Sequence, residues 1–327
     1  MYLSCSRPIV LRRCQPIWSC LKVHVRFNSS ARNRWIDRQK NDFYTKEAKV
    51  RDLRSRAAFK LMEIDDKYHL FSKNSSQRVL DLGFAPGAWS QVAFDRTRPN
   101  GMVLGVDILP CAPPRGVSSI QANILSKRTH ELVRLFFSKH FQLYKHDDLH
   151  QDHGYFRSVL EDKLQTLKQT DEYREIFSDD FNVKTNMLEE HPIDVVISDM
   201  YECWPQTSGF WNNLTNFAYD RMANTTGIAD KDHFMSIDLC DAALVIAIDL
   251  LKVGGCFTCK LYTGKEDRLL ESRLGKVFNK VHRFKPSASR NESRELYFVA
   301  LGKKKTLTSF RFSLELKDID ETIVIRE

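Results

Sequence analysis

The sequence predicts a Rossmann-like α/β fold, in which a mostly parallel sheet carries helices on both faces. Short apolar runs that resemble buried strands alternate with stretches in which apolar residues recur at helical spacing, and this order is typical of right-handed strand–helix–strand units. The first strand is followed by a glycine-containing turn and a helical stretch. The chain has 327 residues and 42% hydrophobic composition, which is enough for a sizeable buried core.

Seven strands are predicted, over residues 78–82, 101–108, 118–122, 193–197, 255–262, 280–284 and 295–301. Helices are predicted over residues 55–68, 88–96 and 238–251. A short turn-rich segment containing Pro286 joins the last two strands, so these two are expected to be antiparallel neighbours. The predicted sheet is therefore seven-stranded and mostly parallel, with an antiparallel last strand.

The N-terminal segment, residues 1–34, contains seven basic residues, several serines and no acidic residue. This composition is typical of a mitochondrial transit peptide, and a disordered basic arm is the alternative. The segment predicts localisation in the mitochondrial matrix. No apolar run in the chain approaches the roughly 20 residues that a membrane-spanning helix needs, so no span is expected.

Charge is unevenly distributed along the chain. The N-terminal segment carries seven of the formal net charge of +8, so the overall basicity is poor evidence for nucleic-acid binding. Residues 145–190 hold 6 basic and 12 acidic residues and show helical spacing of apolar residues, which predicts an acidic helical insert within a domain spanning residues 45–303. The tail, residues 304–327, alternates apolar residues like a strand and has no assigned role.

The eight cysteines do not suggest a disulfide framework. Cys256 and Cys259 form a C-x-x-C pair, but no second pair or histidine stands at zinc spacing. Because residues three apart in a strand point to opposite faces, we interpret both as structural thiols and expect no metal site.

A candidate ligand site follows the first predicted strand, at Asp81, Gly83, Pro86, Gly87, Ala88 and Trp89. Glycines allow a sharp turn and close approach of a ligand to the backbone, and Asp107 ends the second strand where a ribose could be bound. The G-x-G-x-x-G phosphate motif is absent, which disfavours a dinucleotide dehydrogenase. S-adenosylmethionine is cationic and lacks a phosphate, so the acidic residues Asp81, Asp107 and Asp199 suit it better. The alternative is an ordinary glycine turn of a doubly wound fold.

Four ionisable residues stand at informative places: Lys60, Asp199, Lys260 and Glu295. A lone lysine or glutamate is usually a solvated surface residue. Lys260, however, lies within an apolar predicted strand, where an unpaired ammonium would be costly.

The sequence resembles the FtsJ/RrmJ family of RNA 2'-O-ribose methyltransferases in five segments that occur in the family's order. These are residues 54–61 (RSRAAFKL), 81–91 (DLGFAPGAWSQ), 107–110 (DILP), 198–200 (SDM) and 293–295 (SRE). Residues 110–114 (PCAPP), 204–207 (WPQT) and the acidic insert are most similar to the fungal mitochondrial branch, which methylates a uridine of the large-subunit rRNA.

The resemblance implies a class I methyltransferase fold and a catalytic tetrad formed by Lys60, Asp199, Lys260 and Glu295, and we take Lys260 as the base. It also implies S-adenosylmethionine contacts from the Pro86–Trp89 turn, Asp107 and Asp199. Two positions depart from the bacterial pattern. Asn123 replaces an acid that binds the adenine amino group, although an amide oxygen can accept the same hydrogen bond. Ala88 replaces the second glycine of the turn.

The predicted function is therefore 2'-O-methylation of a uridine in mitochondrial large-subunit rRNA, either naked or within a pre-ribosomal large subunit. The alternatives are a non-catalytic ribosome-assembly factor and a transfer- or messenger-RNA 2'-O-methyltransferase. Two basic clusters flank the tetrad in sequence and are candidate phosphate contacts or solvated faces: Lys46, Lys49, Arg51, Arg54 and Arg56, and Arg283, Lys285, Arg290 and Arg294. Trp204, Phe210 and Trp211 are candidates for base stacking or for core packing.

Overall fold

A seven-stranded sheet forms the centre of the fold. The computed structural model describes residues 42–73, 75–138, 161–162, 165, 190–201 and 225–305. The helices in these ranges are α1 (Phe43–Val50), α2 (Ala57–Tyr68), α3 (Ala88–Thr97), α4 (Lys127–Phe137), α5 (Ala229–Leu250) and α6 (Asp267–Val277). The strands are β1 (Arg78–Leu82), β2 (Met102–Asp107), β3 (Ser118–Gln121), β4 (Ile193–Ser198), β5 (Leu251–Tyr262), β6 (Phe278–Phe284) and β7 (Glu295–Lys303).

Several predictions fall outside the described residues. These are the transit peptide at 1–34, nearly all of the acidic insert at 145–190, the tail beyond residue 305, and Trp204, Phe210 and Trp211.

The strand order is β3-β2-β1-β4-β5-β7-β6. The first five strands run parallel, and β7 is antiparallel to both of its neighbours, β5 and β6, which confirms the predicted topology. Leu82 pairs with Ser198, and Ser198 pairs with Cys259, so the carboxyl ends of β1, β4 and β5 meet at one edge. Because Tyr262 pairs with Glu295, the antiparallel β7 begins at that same edge. Ligands of such sheets bind at this edge.

Helices cover both faces of the sheet, as the sequence predicts. One apolar cluster packs α4, α5 and α6 against the face that includes Leu80 and Phe257. A second cluster packs α2 and α3 against the face that includes Val79 and Val299. Cys259 belongs to the first cluster and Cys256 packs against the second, so the two thiols point to opposite faces, as predicted.

Some element boundaries differ from the prediction. Helix α5 begins at Ala229, nine residues before the predicted start, because its first turns bury polar residues such as His233 and Ser236, which apolar spacing does not reveal. Strand β5 begins at Leu251 rather than at residue 255, and its pairing with β4 is irregular near Asp194. Helix α1 was not predicted, since Ala48 is its only buried residue.

The described helices include none that is long and apolar enough to cross a membrane. In the same part of the chain, no group of three or more His, Cys, Asp or Glu side chains is arranged to hold a metal ion.

Candidate active site

Lys60, Asp199, Lys260 and Glu295 meet at the carboxyl edge of the sheet, although they come from four separate elements. Lys260 Nζ donates a hydrogen bond to the main-chain carbonyl of Asp199 at 2.7 Å and lies 3.1 Å from Asp199 Oδ1. Lys60 Nζ pairs with Glu295 Oε1. Lys260 is only 4% exposed, so its charge is balanced by protein groups rather than by water. The tetrad therefore consists of two ion pairs.

Tyr297 joins the two ion pairs. Its hydroxyl lies 3.0 Å from Asp199 Oδ1 and also contacts Glu295 Oε1, and its ring centroid is 5.5 Å from that of Trp89. Sequence reasoning missed this residue. The available signal was its position two residues after Glu295 in a strand, which places both side chains on one face.

Burial and charge set the protonation of this cluster. Burial raises the pKa of Glu295, but the ammonium groups of Lys60 and Lys260 outweigh it, so the pKa of this carboxyl is lower than usual. Burial, with the nearby carboxylates of Asp199 and Glu295, raises the pKa of Tyr297 well above its ordinary value. Glu295 is therefore ionised at neutral pH, while Tyr297 keeps its proton and acts as a donor.

An aromatic ring completes the surroundings of Lys260. Its Nζ lies 4.9 Å from the ring centroid of Tyr201, which follows β4. A cation over an aromatic face is attracted by the ring quadrupole, so Tyr201 helps to hold the Lys260 ammonium beside Asp199.

The turn after β1 requires both of its glycines. Gly83 and Gly87 have φ values of 69° and 103°, which L side chains rarely adopt. A Cβ on Gly83 would lie 2.4 Å from Met200 Cγ, and one on Gly87 would lie 2.7 Å from Pro114 Cδ. Pro86 stands between them, after a cis peptide bond.

The first two residues of α3, which follow the turn directly, face inward. Ala88 and Trp89 are buried in the core, and Trp89 Nε1 donates to the carbonyl of Ala57 at 3.0 Å. Only the main-chain atoms of these two residues remain as possible contacts for a ligand in the turn.

Asp81, at the end of β1, is a buried carboxyl with an unused oxygen. Ser90 Oγ donates to its Oδ2 at 2.5 Å, whereas Oδ1 has no hydrogen-bond partner among the described residues. Burial raises the pKa of Asp81 to about 8, and the carboxylates of Asp199 and Asp107 contribute. Asp81 is therefore a buried carboxyl close to two other carboxylates, and a cationic ligand beside it would favour its ionised form.

Asp107, at the end of β2, holds the turn in place. Its Oδ2 accepts a hydrogen bond from the amide of Ala85, and its Oδ1 accepts one from the amide of Leu109, both at 2.9 Å. Burial raises the pKa of Asp107, although these bonds oppose the increase. Both oxygens are thus used within the protein, and each retains lone pairs for a further contact.

Asn123 follows β3 and is exposed, and its Oδ1 accepts a hydrogen bond from the amide of Leu125 at 2.9 Å. Two large apolar side chains that follow β2 and β3 are also exposed: Ile108, after β2, is 66% exposed, and Leu125, after β3, is 68% exposed. Sequence reasoning missed them, because single apolar residues after strands are common and carry no pattern.

The first basic cluster is largely engaged within the protein. Arg54 donates to the carbonyls of Ala112 and Pro113, both at 3.0 Å, and of Pro86 at 3.4 Å. Arg51 pairs with Glu47 at 2.7 Å. Arg56 contacts the carbonyl of Ala288 and lies 5.6 Å from the ring centroid of Tyr44.

The second basic cluster is engaged in the same way. Arg283 pairs with Glu271, and Lys285 Nζ donates to the carbonyl of Ser293 at 2.8 Å. The structure therefore gives several of the predicted phosphate-binding cations partners within the chain.

Comparisons with known proteins identify the family. The family model for the FtsJ-like methyltransferase matches residues 53–303. Saccharomyces cerevisiae "rRNA methyltransferase 2, mitochondrial" is 64% identical over 294 residues, which cover 88% of this chain and 92% of that protein. The Schizosaccharomyces pombe protein of the same name is 34% identical over 278 residues, covering 85% of this chain and 99% of that one. Granulibacter bethesdensis "Ribosomal RNA large subunit methyltransferase E" is also 34% identical over 278 residues, covering 85% and 87%.

The match to the family model extends over most of the chain and includes all four residues of the tetrad and the glycine turn. The chain therefore belongs to the FtsJ-like methyltransferase family, and it is a methyltransferase.

Proposed function

We propose that this methyltransferase transfers a methyl group from S-adenosylmethionine to the 2'-hydroxyl of a uridine in mitochondrial large-subunit rRNA, with Lys260 as the base. The observation that carries the proposal is the buried Lys260, paired with Asp199 at the sheet edge where the glycine turn also lies. The names of the relatives support an rRNA substrate, and two of those names include a mitochondrial location.

The residues of the turn fit S-adenosylmethionine. The unpartnered Oδ1 of Asp81 and the neighbouring carboxylates suit a ligand with positive charge, and the positive φ values of Gly83 and Gly87 expose the backbone to close approach. When bound, this cofactor supplies a methyl group that a sulfonium makes electrophilic. The exposed Ile108 and Leu125 offer apolar surface for a planar base, and Asn123 and Asp107 offer hydrogen-bond acceptors beside them.

The tetrad supplies the acid–base chemistry. A ribose hydroxyl is a weak acid, so its attack is assisted by a group that removes its proton as the new bond forms. Lys260 in its amine form would accept that proton, and the ammonium would then be stabilised by Asp199. Lys60 would orient the hydroxyl, and Glu295 fixes Lys60 through their ion pair. Holding the hydroxyl in line with the methyl group would also lower the activation barrier, because the reacting atoms are already oriented.

Residues 1–34 would direct the chain to the mitochondrial matrix, and residues 45–303 would form the catalytic domain that includes the insert at 145–190.

The test is transfer of labelled methyl from S-adenosylmethionine to mitochondrial rRNA, to pre-ribosomal large subunits and to total tRNA, followed by mapping of 2'-O-methyl groups. Wild type should modify one uridine of the large-subunit rRNA. The variant Lys260→Ala should lose at least about 10²-fold in kcat, the range for a lost general base, and should still bind the cofactor. Lys252→Ala is the matched control, because Lys252 lies in the same strand and pairs with Asp194 away from the site.

Three outcomes would contradict parts of the proposal. Near-normal turnover by Lys260→Ala would exclude Lys260 as the base. Modification of tRNA alone would exclude the rRNA substrate. Binding of cofactor and rRNA by wild type without methyl transfer to any of the three substrates would indicate a non-catalytic assembly factor.

A further inference from the structure

A cluster of cations and aromatic rings lies outside the tetrad, at β6, which is the edge strand of the sheet next to β7. We call it the β6 surface and define it as Lys67, Tyr68, Lys280, His282 and Phe284. The rings of Tyr68 and His282 stack, with centroids 5.1 Å apart and an interplanar angle of 25°. The ring of Phe284 meets that of Tyr68 edge-on at 5.7 Å. Lys67 Nζ lies 4.6 Å from the ring centroid of Phe284 and 5.3 Å from that of Tyr68.

The β6 surface begins one strand away from the tetrad. Phe284 pairs with Tyr297 in the β6–β7 register, and Tyr297 is the residue that contacts both Asp199 and Glu295. Lys60 and Lys67 are seven residues apart in α2, which is about two turns, so they lie on the same side of the helix roughly 10 Å apart. One side of α2 therefore runs from the tetrad to the β6 surface.

The strand order indicates where a polymeric substrate can leave the site. The glycine turn, Asp107 and Asn123 follow β1, β2 and β3, so the proposed cofactor site occupies that half of the sheet edge. The tetrad lies at β4, β5 and β7, and β6 is the outermost strand on the other side. A chain whose reacting ribose lies at the tetrad can therefore continue over β6 without crossing the cofactor half.

The charge of this surface is available for a polyanion. Lys67 and Lys280 are both exposed, and within the part of the chain that the structure describes neither forms an ion pair. By contrast, Arg283 on the same strand is bound to Glu271. Lys280, His282 and Phe284 occupy every second position of β6, so their side chains lie on the same face of the strand.

A lysine on an edge strand also serves to prevent unwanted strand pairing, which is the alternative explanation for Lys280. That role requires a charge but no aromatic rings. Half-exposed rings next to unpaired cations are the combination that binds single-stranded RNA, since bases stack on rings while lysines contact phosphates.

We propose that the β6 surface binds the single-stranded RNA that flanks the methylated nucleotide. Lys67 and Lys280 contact its phosphates, and the rings of His282, Tyr68 and Phe284 provide a stacking surface for its bases. The identity of the RNA rests on the proposed function, whereas its binding at this surface can be measured without methyl transfer.

The first experiment measures binding of a fluorescently labelled single-stranded RNA of about 12 nucleotides, within the size range of such sites, by anisotropy over a series of salt concentrations. The double variant Lys67→Gln/Lys280→Gln should bind several-fold more weakly, and the slope of log K against log salt should fall by about 1.4, or about 0.7 per lost phosphate contact. The control variant Lys252→Gln/Lys276→Gln removes two lysines elsewhere and should keep the wild-type slope. Thermal unfolding of both variants verifies that they are folded.

The second experiment locates the RNA directly by ultraviolet cross-linking of the same probe to the wild-type protein, followed by mass spectrometry. Cross-links should fall in peptides containing Tyr68, His282 or Phe284. Equal salt slopes for the two double variants, or cross-links only in other peptides, would overturn the proposal. Failure of wild type to methylate any rRNA would instead reject the proposed function and leave the binding result to be judged by itself.

Discussion

The hydroxyl of Tyr297 lies 3.0 Å from Asp199 Oδ1 and also contacts Glu295 Oε1, so one buried side chain joins the two ion pairs of the tetrad. Each lysine has its own carboxylate, Lys260 with Asp199 and Lys60 with Glu295. Two carboxylates that share a donor are held close together despite their like charges. Tyr297 therefore contacts both of the carboxylates that pair with the two lysines.

Replacing Tyr297 by phenylalanine should reduce both activity and stability. The ring would still pack on Trp89, but the buried Glu295 and the half-buried Asp199 would lose the hydroxyl that they share, and loss of such a donor typically costs about 1 to 3 kcal/mol. We expect kcat to fall about tenfold, equivalent to about 1.4 kcal/mol in the barrier, with a lower urea midpoint.

Tyr44→Phe is the control for this change, because Tyr44 lies in α1 and its ring packs on Phe59 outside the tetrad. An unchanged kcat combined with reduced stability would show that Tyr297 supports the fold without positioning the tetrad.

Cofactor binding should release a proton at neutral pH, and Asp81 should be its source. The pKa of Asp81 is raised to about 8 from an ordinary value of 3.8, so the folded protein carries this proton at pH 7. A cationic ligand favours the ionised carboxylate, so affinity for S-adenosylmethionine should rise with pH up to about 8. Calorimetry in two buffers with different ionisation enthalpies measures the released proton. Asp81→Asn should abolish both the release and the pH dependence, and persistence of either would assign it to another group.

The raised pKa of Asp81 also makes the stability of the fold depend on pH. Below pH 3.8 Asp81 is protonated in both the folded and the unfolded chain, so its raised pKa does not change the free energy of unfolding. Between pH 3.8 and about 8 the unfolded chain ionises first, so the contribution of Asp81 to folding free energy falls as pH rises. The stability of Asp81→Asn relative to wild type should therefore increase from pH 5 to pH 8, as measured by urea unfolding. A constant difference would contradict the raised pKa.

Two glycine-to-alanine changes should have opposite effects. Gly83→Ala imposes a side chain at φ 69° and places its Cβ 2.4 Å from Met200 Cγ, so it should destabilise the fold by more than about 1 kcal/mol and move the residue next to Asp199. Gly275 lies within α6, and a Cβ there would meet no atom within 4 Å, so Gly275→Ala should stabilise the helix by about 0.5 to 1 kcal/mol. Thermal unfolding and methyl transfer measure both variants. If the two variants had the same thermal stability and the same methyl-transfer activity, the turn after β1 would be able to relax around the added side chain.

The sequence predicts those parts of the site that depend on local pattern. The strand–turn–helix from Asp81 to Trp89 is contiguous, and its glycines are visible as such. Lys260 is conspicuous because it interrupts an apolar strand. The parallel strands and the antiparallel pairing of the last two strands also follow from connection lengths, since short turns join antiparallel neighbours and crossovers join parallel ones. The order of the strands within the sheet does not follow from connection length.

Residues whose roles depend on distant partners are not visible in the sequence. Tyr297 resembles any strand tyrosine until β7 brings it to Asp199, which is 98 positions away. Arg54 belongs to a basic cluster in the sequence, and only the fold brings its carbonyl acceptors to it. The early start of α5 is hidden for a similar reason: buried His233 accepts from the amide of Glu266, and its ring faces the carbonyl of Tyr262.

Arg54 should act on the cofactor site rather than on RNA. Its guanidinium donates to the carbonyls of Pro86, Ala112 and Pro113, and thereby ties the glycine turn to the loop after β2. A planar fork can bridge two loops, whereas the ammonium of lysine is a point charge without that geometry. Both Arg54→Ala and Arg54→Lys should therefore raise KM for S-adenosylmethionine by about tenfold, which corresponds to about 1.4 kcal/mol.

The lysine variant separates this role from a phosphate contact. If Arg54 bound RNA, Arg54→Lys would retain the charge and most of the RNA affinity, and only Arg54→Ala would reduce the salt slope of RNA binding. If Arg54 holds the turn, both variants lose cofactor affinity and both keep the wild-type salt slope. Arg98→Ala is the control, because Arg98 is an exposed arginine that pairs with Asp95 at 2.9 Å and contacts neither loop. Because the linker that carries Arg54 leads directly into α2, loss of these bonds should also lower kcat by loosening Lys60, and single-turnover rates at saturating cofactor measure that second effect separately.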